Sequence, residues 1–445
     1  MIRRMSLAIA VCMFGHAWPA AAQPQGPYSI YSPVNSMATL FTDIYGPQGL
    51  IVDSEATLPG EQLHSAHFNS AFQFDFGQFS TALVNQLVSA PLPSPASGFT
   101  FRFDPSLGVF ERTTQSFGPI LAERADTIGN GRVSFGTAYQ RFTFDTMEGL
   151  DLQHVPAVFT HDNAQLRGGR EDVVTTDNAI TVIVGQFTTF LTVGIGDRFD
   201  LSVAAPVITN DLTVVSKATV HRLGTTNPLT HFFRQADGDV GEDRTFWAGR
   251  RVSGLGDVTL RMKGTLSKRQ ASGVALGVDV RLPTGNEMEL LGSGTTTVRP
   301  FAVWSATFGR LSPHLNGGYA WSGSSVLAGN PATGELGDFP DHATYAAGAE
   351  VTINKYMTAV LDVLGRYDID TKRLVSEEFH ALDAKGTAFP NVTFVTDSYN
   401  ALSGAFGLKT NIVNQLLLDV NLLFKLDENG LRDKVTPLVG VEYTF

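Results

Sequence analysis

Residues 254–283 read GLGDVTLRMKGTLSKRQASGVALGVDVRLP, and both halves of this stretch alternate with a period of two. In the first half Val258, Leu260, Met262 and Leu266 fall on one face with Gly264 between them. Asp257, Thr259, Arg261, Lys263 and Thr265 fall on the other. In the second half Val274, Leu276, Val278, Val280 and Leu282 oppose Ala275, Gly277, Asp279 and Arg281. Side chains alternate sides along a β-strand, so each half is a strand with one apolar and one charged face. The pattern recurs at 358–367, where Ala359, Leu361, Val363 and Tyr367 oppose Thr358, Asp362 and Arg366. It recurs again at 416–427, where Leu416, Leu418, Val420, Leu422, Phe424 and Leu426 oppose Asp419, Asn421, Lys425 and Asp427. A soluble sandwich alternates in the same way, so period alone does not decide the fold.

Loop lengths decide it. Twelve strands are predicted, at 131–145, 178–194, 198–215, 254–268, 271–283, 297–309, 311–323, 341–353, 356–369, 397–411, 415–427 and 434–445, with fourteen as the alternative count. The links after every second strand are short: Ile195–Asp197, Arg269–Gln270, Arg310, Asn354–Lys355 and Ile412–Asn414. Most of the others are long, 216–253 the longest. Short turns at one end and long loops at the other are the pattern of outer-membrane barrels, and an even strand count returns both chain ends to the turn side. The expected fold is all-β, a transmembrane antiparallel β-barrel of about 12 strands over 131–445, preceded by a plug or periplasmic segment at 23–130, with a separate soluble domain there as the alternative.

Composition agrees. The 445 residues are 43% hydrophobic but only 17% charged, against about 25% charged for soluble domains. There are 31 Phe and 44 Gly, too much apolar and aromatic content for disorder. The formal net charge of −11 argues against nucleic acid as a partner, because phosphate contacts need a basic face. Beyond residue 23 no run approaches the 18 or so apolar residues of a membrane helix, and the mean hydropathy is only +0.03.

The first 22 residues read as a secretory signal peptide: Arg3 and Arg4, an apolar run from Leu7 to Phe14, then Ala20-Ala21-Ala22 before a cut near Ala22/Gln23. Its removal takes two arginines, so the net charge moves from −11 to −13, and it takes Cys12, the one cysteine. The mature chain then forms no disulfide. The predicted location is the cell outer membrane, with outer-membrane lipid and the barrel-assembly machinery as partners.

The chain stops on an alternating strand, Val435, Val439, Val441, Tyr443 and Phe445. A last strand ending in Phe resembles the signal read by that machinery, so Val441, Tyr443 and Phe445 are assigned to assembly. Aromatic residues near strand ends (Tyr139, Phe142, Phe144, Tyr356, Tyr367, Tyr443, Phe445) are expected in interfacial girdles.

Residues 24–130 differ in character. The stretch 24–63 is rich in Pro, Gly and Ser and reads as extended. Phe68, Phe72, Phe76, Phe79, Leu83 and Leu87, spaced by three and four, predict an amphipathic helix within 64–88, ended by Pro91, Pro93 and Pro95. Phe99–Phe103 and Leu107–Glu111 predict a small hairpin around Asp104-Pro105.

Motifs for chemistry are absent. There is no nucleophile elbow, HExxH or P-loop, and no cofactor is expected. Gly254-Leu255-Gly256 starts like a dinucleotide fingerprint but leads into a strand. The pairs His154/His161 and His221/His231 lie in loops and read as solvated, and no metal site is assigned. Asp237, Asp239, Glu242 and Asp243 form an acidic loop tip that lacks the full 12-residue calcium loop.

Function is therefore sought on the strand faces. Asp257, Arg261, Lys263, Asp279, Arg281, Asp362, Arg366, Asp419, Lys425 and Glu442 fall on polar faces, as does Glu350. In a bilayer such charges are tolerated only inside a barrel. There they either form a salt-bridged filling or set the selectivity of a constriction for a small-molecule solute. Pro206, which removes a ladder hydrogen bond within the third strand, marks either the outer rim or a kink in the wall.

Three segments carry a family resemblance: Gly254-Leu255-Gly256-Asp257-Val258, Arg281-Leu282-Pro283-Thr284-Gly285 and Leu291-Gly292-Ser293-Gly294. They resemble the outer-membrane transporters named for the meta-pathway of phenol degradation, over roughly 130–445. Asn286 and Thr295–Thr297 stand where that family's pattern is acidic. The resemblance implies a barrel related to channels for fatty acids and aromatic hydrocarbons, and supplies no catalytic residues. The expected function is passive, energy-independent passage of small aromatic or apolar solutes, with the lumen charges selecting and 24–130 gating. The alternatives are an outer-membrane barrel enzyme acting on lipid or surface polymer, and a sealed structural or surface-interaction barrel.

Overall fold

A computed structural model describes residues 29–445, apart from 47–48, 56–65, 71–76, 90–100, 105–108, 113–115, 162–170, Thr225, Ala236, Gln270 and Asn414. The proposed signal peptide, 1–22, lies outside the described residues. Twelve antiparallel strands form the wall: β1 (Val133–Met147), β2 (Val173–Ile195), β3 (Phe199–His221), β4 (Asp243–Leu255 and Val258–Lys268), β5 (Ser272–Leu282), β6 (Thr297–Ala306), β7 (Leu311–Ser322), β8 (His342–Asn354), β9 (Met357–His380), β10 (Ala388–Val413), β11 (Leu416–Lys425) and β12 (Leu431–Asp433 and Val435–Thr444). Each pairs with its sequence neighbour, and β12 closes on β1, with Leu438 opposite Gln140 and Thr444 opposite Ser134. In the turn-end half the ladder is continuous and closure leaves no unpaired edge, which a strand structure in lipid requires. The five turns at one end are two to four residues long, and Gly196 takes a positive φ of 62° in one of them. The opposite end carries the long connections, hereafter the loop end.

The wall has two storeys. Along β3 the outward side chains are Phe199, Leu201, Val203, Ala205 and Val207 from the turn end, then the mostly polar Thr209, Asp211, Thr213, Val215 and Lys217 toward the loop end. The apolar part covers nine residues, about what a tilted strand needs to cross a bilayer. The inward side chains change in the opposite sense. In the turn-end storey they are polar: Ser134, Gln186, Thr192, Asp200 and Ser202 are all buried. In the loop-end storey they are apolar: Phe142, Phe144, Val182, Val184, Leu212 and Val214 form a core with Met37, Phe41, Phe79, Leu83 and Val84 of the N-terminal segment. Burial of each such side chain contributes roughly 1.5–3 kcal/mol. The upper storey is thus built like a water-soluble domain and the lower like a membrane protein.

This inversion corrects several expectations. Strands β2, β3, β4, β9 and β10 run well past their predicted limits, because the alternation continues while its chemistry reverses. Phe142 and Phe144 are not girdle residues. They occupy inward positions of β1 and are 3% and 4% exposed in the upper core. Tyr139, Tyr356, Tyr367 and Phe445 do face outward. Pro206 does not end its strand. It stands opposite Thr188 on β2 and at an irregularity on the β4 side, where Ala204 pairs with Thr259 and Val207 with Leu255. Its carbonyl accepts from Gly256 at 2.8 Å. A residue without an N–H fits a point where the ladder already skips.

The N-terminal segment is folded, not loosely extended. Ser29–Tyr31 pairs in parallel with Thr245–Trp247 of β4, Leu40–Asp43 forms one helical turn, and Leu50–Val52 pairs with Ala66–Asn69. The predicted helix is present over Gly77–Ser89, whereas Ala66–Asn69, within its predicted limits, is a strand. The hairpin forms between Phe101–Asp104 and Val109–Arg112. The Tyr45 ring packs on Phe159 and Phe246, with its hydroxyl 2.8 Å from Ser216 Oγ. Burial pushes that phenol up to about 12.

Candidate functional site

Residues 116–128 run round the inside of the wall near the turn end, joined in succession to many strands. Phe117 N donates to Thr358 Oγ1 of β9 at 3.1 Å, and Lys409 Nζ of β10 donates to Pro119 O at 3.4 Å. The Asn316 side chain of β7 holds both backbone groups of Glu123, at 2.6 and 3.0 Å. Ala125 N donates to Ser305 Oγ of β6 and Ala125 O accepts from Thr265 Oγ1 of β4. Ile128 N donates to Asp200 Oδ1 of β3 at 3.2 Å. A segment with no sheet partner of its own has its backbone satisfied by inward polar side chains, as burial requires.

Two of its three charged side chains, Glu123 and Arg124, connect the sequence-assigned residues, and the third, Asp126, pairs with Lys268. Glu123 bonds Arg261, and its Oε2 lies 3.1 Å from Lys263 Nζ. Arg261 forks onto Asp279 at 2.6 and 2.9 Å, and Arg299 of β6 adds a second fork at 2.5 and 3.1 Å. Both guanidiniums lie over the Phe301 ring, 5.2 and 5.4 Å from its centroid. Arg124 forks onto Glu350, and His314 bridges Glu350 Oε1 (3.4 Å) and Asp362 Oδ1 (2.7 Å). Apart from Arg299, which is partly exposed, the side chains of these groups are almost fully buried, so each charge depends on its partner.

Other assigned residues lie elsewhere. Arg281 is the next inward position from Asp279 on β5. Arg366 bonds Asp368 at 2.8 Å, and Asn85 of the helix Gly77–Ser89 donates to the other oxygen of that carboxylate. Glu442 lies 3.7 Å from Lys409 Nζ and accepts from Ser134, and Asp419 is buried opposite Lys409. Lys425 reaches Glu428 and Asp145 near the loop end. Val441 and Phe445 point outward, and Phe445 N donates to Val133 O at the seam.

Asp257 has a separate place. Its Oδ1 accepts from Gly285 N at 3.1 Å and its Oδ2 from the backbone and hydroxyl of Ser293, both at 2.8 Å. Thr284 Oγ1 accepts from Val258 N and donates to Gly256 O. A Cβ on Gly292 would collide with the Asp257 carboxylate. The three segments of the family resemblance therefore converge on one knot beside the discontinuity in β4.

Between the helix Gly77–Ser89 above and residues 116–128, the thread, below lies a cavity of about 140 Å³. Gln86, Leu121, Glu123, Arg261, Arg299, Phe301, Leu364, Arg366, Leu423 and Arg432 are among its lining. Sequence reasoning missed Glu123, Arg124, Arg299, His314 and Lys409. Arg299 and Lys409 lie on predicted strands at inward positions. For Glu123-Arg124 the signal was two charges in the otherwise apolar run Phe117–Ala125.

Among the described residues no group of three or more His, Cys, Asp or Glu could hold a metal ion. His154 is exposed beside Asp177. His161 and His231 are buried with rings 5.4 Å apart, and His231 Nδ1 lies 2.7 Å from Asp172 Oδ2. In the acidic loop tip Glu242 is bonded to Arg222 and Asp243 accepts from Thr219.

No protein-family model matches the chain, and no curated protein matches it. It is similar to solved structures of several outer-membrane barrels. For an outer-membrane channel from Pseudomonas putida F1 the identity is 13%, covering 73% of this chain and 99% of that one, with a TM-score of 0.44. For the Ralstonia pickettii toluene transporter TbuX these values are 11%, 80%, 100% and 0.34. For the CymD monoaromatic hydrocarbon channel they are 9%, 71%, 88% and 0.33.

Proposed function

We propose that the chain is an outer-membrane channel for small solutes, closed at rest by its own N-terminal segment. One observation carries this reading. The polar lumen at bilayer height is occupied by a separate stretch of chain, 116–128, and not by wall side chains meeting across it. Wall side chains that fill a barrel are permanent, whereas a segment held to the wall without strand pairing of its own can leave. The loop end then faces outward and the short turns face the periplasm. Asp257, Arg261, Lys263, Asp279, Arg281, Asp362, Arg366, Asp419, Lys425 and Glu442 are proposed to tune what passes, and Val441, Tyr443 and Phe445 to guide assembly. The resemblance to the phenol meta-pathway transporters supplies the solute class, small aromatic or otherwise apolar molecules, and passage is passive.

The test is solute flux into liposomes bearing the refolded protein, full-length and lacking 24–128. Flux that appears or rises on deletion supports a gated channel. No flux from either protein overturns the reading. That result would favour a sealed structural barrel, which the apolar core filling the upper storey supports.

A further inference from the structure

The charges around Glu123 balance only because the thread supplies one of them. Arg261, Lys263 and Arg299 face Glu123, Asp279 and Asp200, three cations to three carboxylates. Arg281 stands beside them with no hydrogen bond or ion pair to any described residue. Asp257 is the nearest carboxylate to balance it. If the thread withdraws, four cations remain against Asp279, Asp200 and Asp257. A buried positive charge without a partner is costly, so the open lumen favours an anion at this point.

We propose that the mid-lumen cavity is a binding site for a small organic monocarboxylate with a compact apolar body, and that Glu123 is its built-in competitor. The polar side is Arg261 and Arg299, whose planar forks suit a carboxylate. The apolar side is Phe301 with Leu364 and Leu423. A cavity of about 150 Å³ accepts a benzene ring, so 140 Å³ takes at most an apolar body of about that size, and the carboxylate of a ring acid fits only by displacing that of Glu123. A solute carboxylate that takes Arg261 and Lys263 from Glu123 loosens one hold of the thread, which couples binding to opening. This rests on the channel reading for its purpose, though the site itself does not depend on flux.

The test titrates the detergent-solubilised full chain with benzoate by calorimetry, using benzyl alcohol and benzylamine as neutral and cationic matches. Glu123→Gln removes the competitor and keeps the shape. It should tighten benzoate binding about tenfold, the worth of one charge-assisted hydrogen bond. Arg299→Gln should abolish it. Because Arg299→Gln could fail to fold, a second readout is thiol labelling of Ala125→Cys in the otherwise wild-type protein, which benzoate but not benzyl alcohol should accelerate. Equal affinity of Glu123→Gln and wild type for benzoate, or benzyl alcohol binding as tightly as benzoate, overturns the proposal. Benzoate binding without flux would keep the site and remove the channel. Flux without benzoate binding would do the reverse.

Discussion

Ser293 closes on Asp257 with both of its donors: its backbone N–H and its hydroxyl each lie 2.8 Å from the same carboxylate oxygen. With Gly285 N on the other oxygen, one buried side chain fixes the 283–296 loop against the discontinuity in β4. Asp257→Ala leaves three donors without their partner. We expect a loss of about 2–4 kcal/mol, from the usual cost of unsatisfied buried groups. Gly292→Ala should destabilise as well, because its methyl group meets that carboxylate. Equilibrium unfolding by denaturant in detergent measures both, and an Asp257→Ala midpoint equal to wild type would show that the knot does not hold the loop.

Arg124 and Glu350 join the thread to β8 in a fully buried fork. Glu350→Gln strands the guanidinium and frees His314 from one of its two carboxylates. Breaking a buried pair costs about 3–5 kcal/mol, and replacing both partners by apolar groups costs far less. Arg124→Met with Glu350→Met should therefore unfold at a higher temperature than Glu350→Gln alone, as read from the shift between folded and unfolded mobility on gels. The reverse order would show that the fork does not bear on stability.

The barrel was legible because β-alternation is local: Val258 to Leu282 reveals its two faces with no knowledge of the rest of the chain. The upper storey was not, since Thr209 to Thr219 keep the period of two while exchanging which face is apolar, and a reader of outward apolar residues sees the strand end near Pro206. The thread was illegible for another reason. Glu123 meets Arg261 across 138 residues and Arg124 meets Glu350 across 226. Those separations leave no periodic trace, so only the folded wall reveals why the two charges stand together. The knot was half legible: its glycines were noticed as turn formers, but their convergence on Asp257 needed the register of β4 and β5.

Ala125 lies against β5, where a Cβ added to Gly273 would stand 3.1 Å from its own. That is just short of the usual disulfide range of about 3.5–4.5 Å, and a small shift accommodates it. The mature chain supplies no competing thiol if the leader carrying Cys12 is removed. Ala125→Cys with Gly273→Cys should form a bond that pins the thread to the wall. Liposome flux of a charged aromatic solute should fall several-fold when the pair is oxidised and recover with dithiothreitol. Flux indifferent to reduction would mean that solute does not pass where the thread lies.

Ser29–Tyr31 runs parallel to Thr245–Trp247, and β4 descends from the loop end toward the Lys268 turn, so the N-terminal segment enters the barrel from the loop end. It then packs in the upper core, passes down as the thread and joins β1 at the turn end. If the loop end faces the medium, a protease site placed directly before Ser29 should be cut on intact cells, as epitope loss on blots would show. The same site in the Lys355–Tyr356 turn between β8 and β9 should survive until the outer membrane is permeabilised. Cleavage at Lys355–Tyr356 with protection before Ser29 would invert the orientation, and the thread would then guard the outer mouth in place of the periplasmic one.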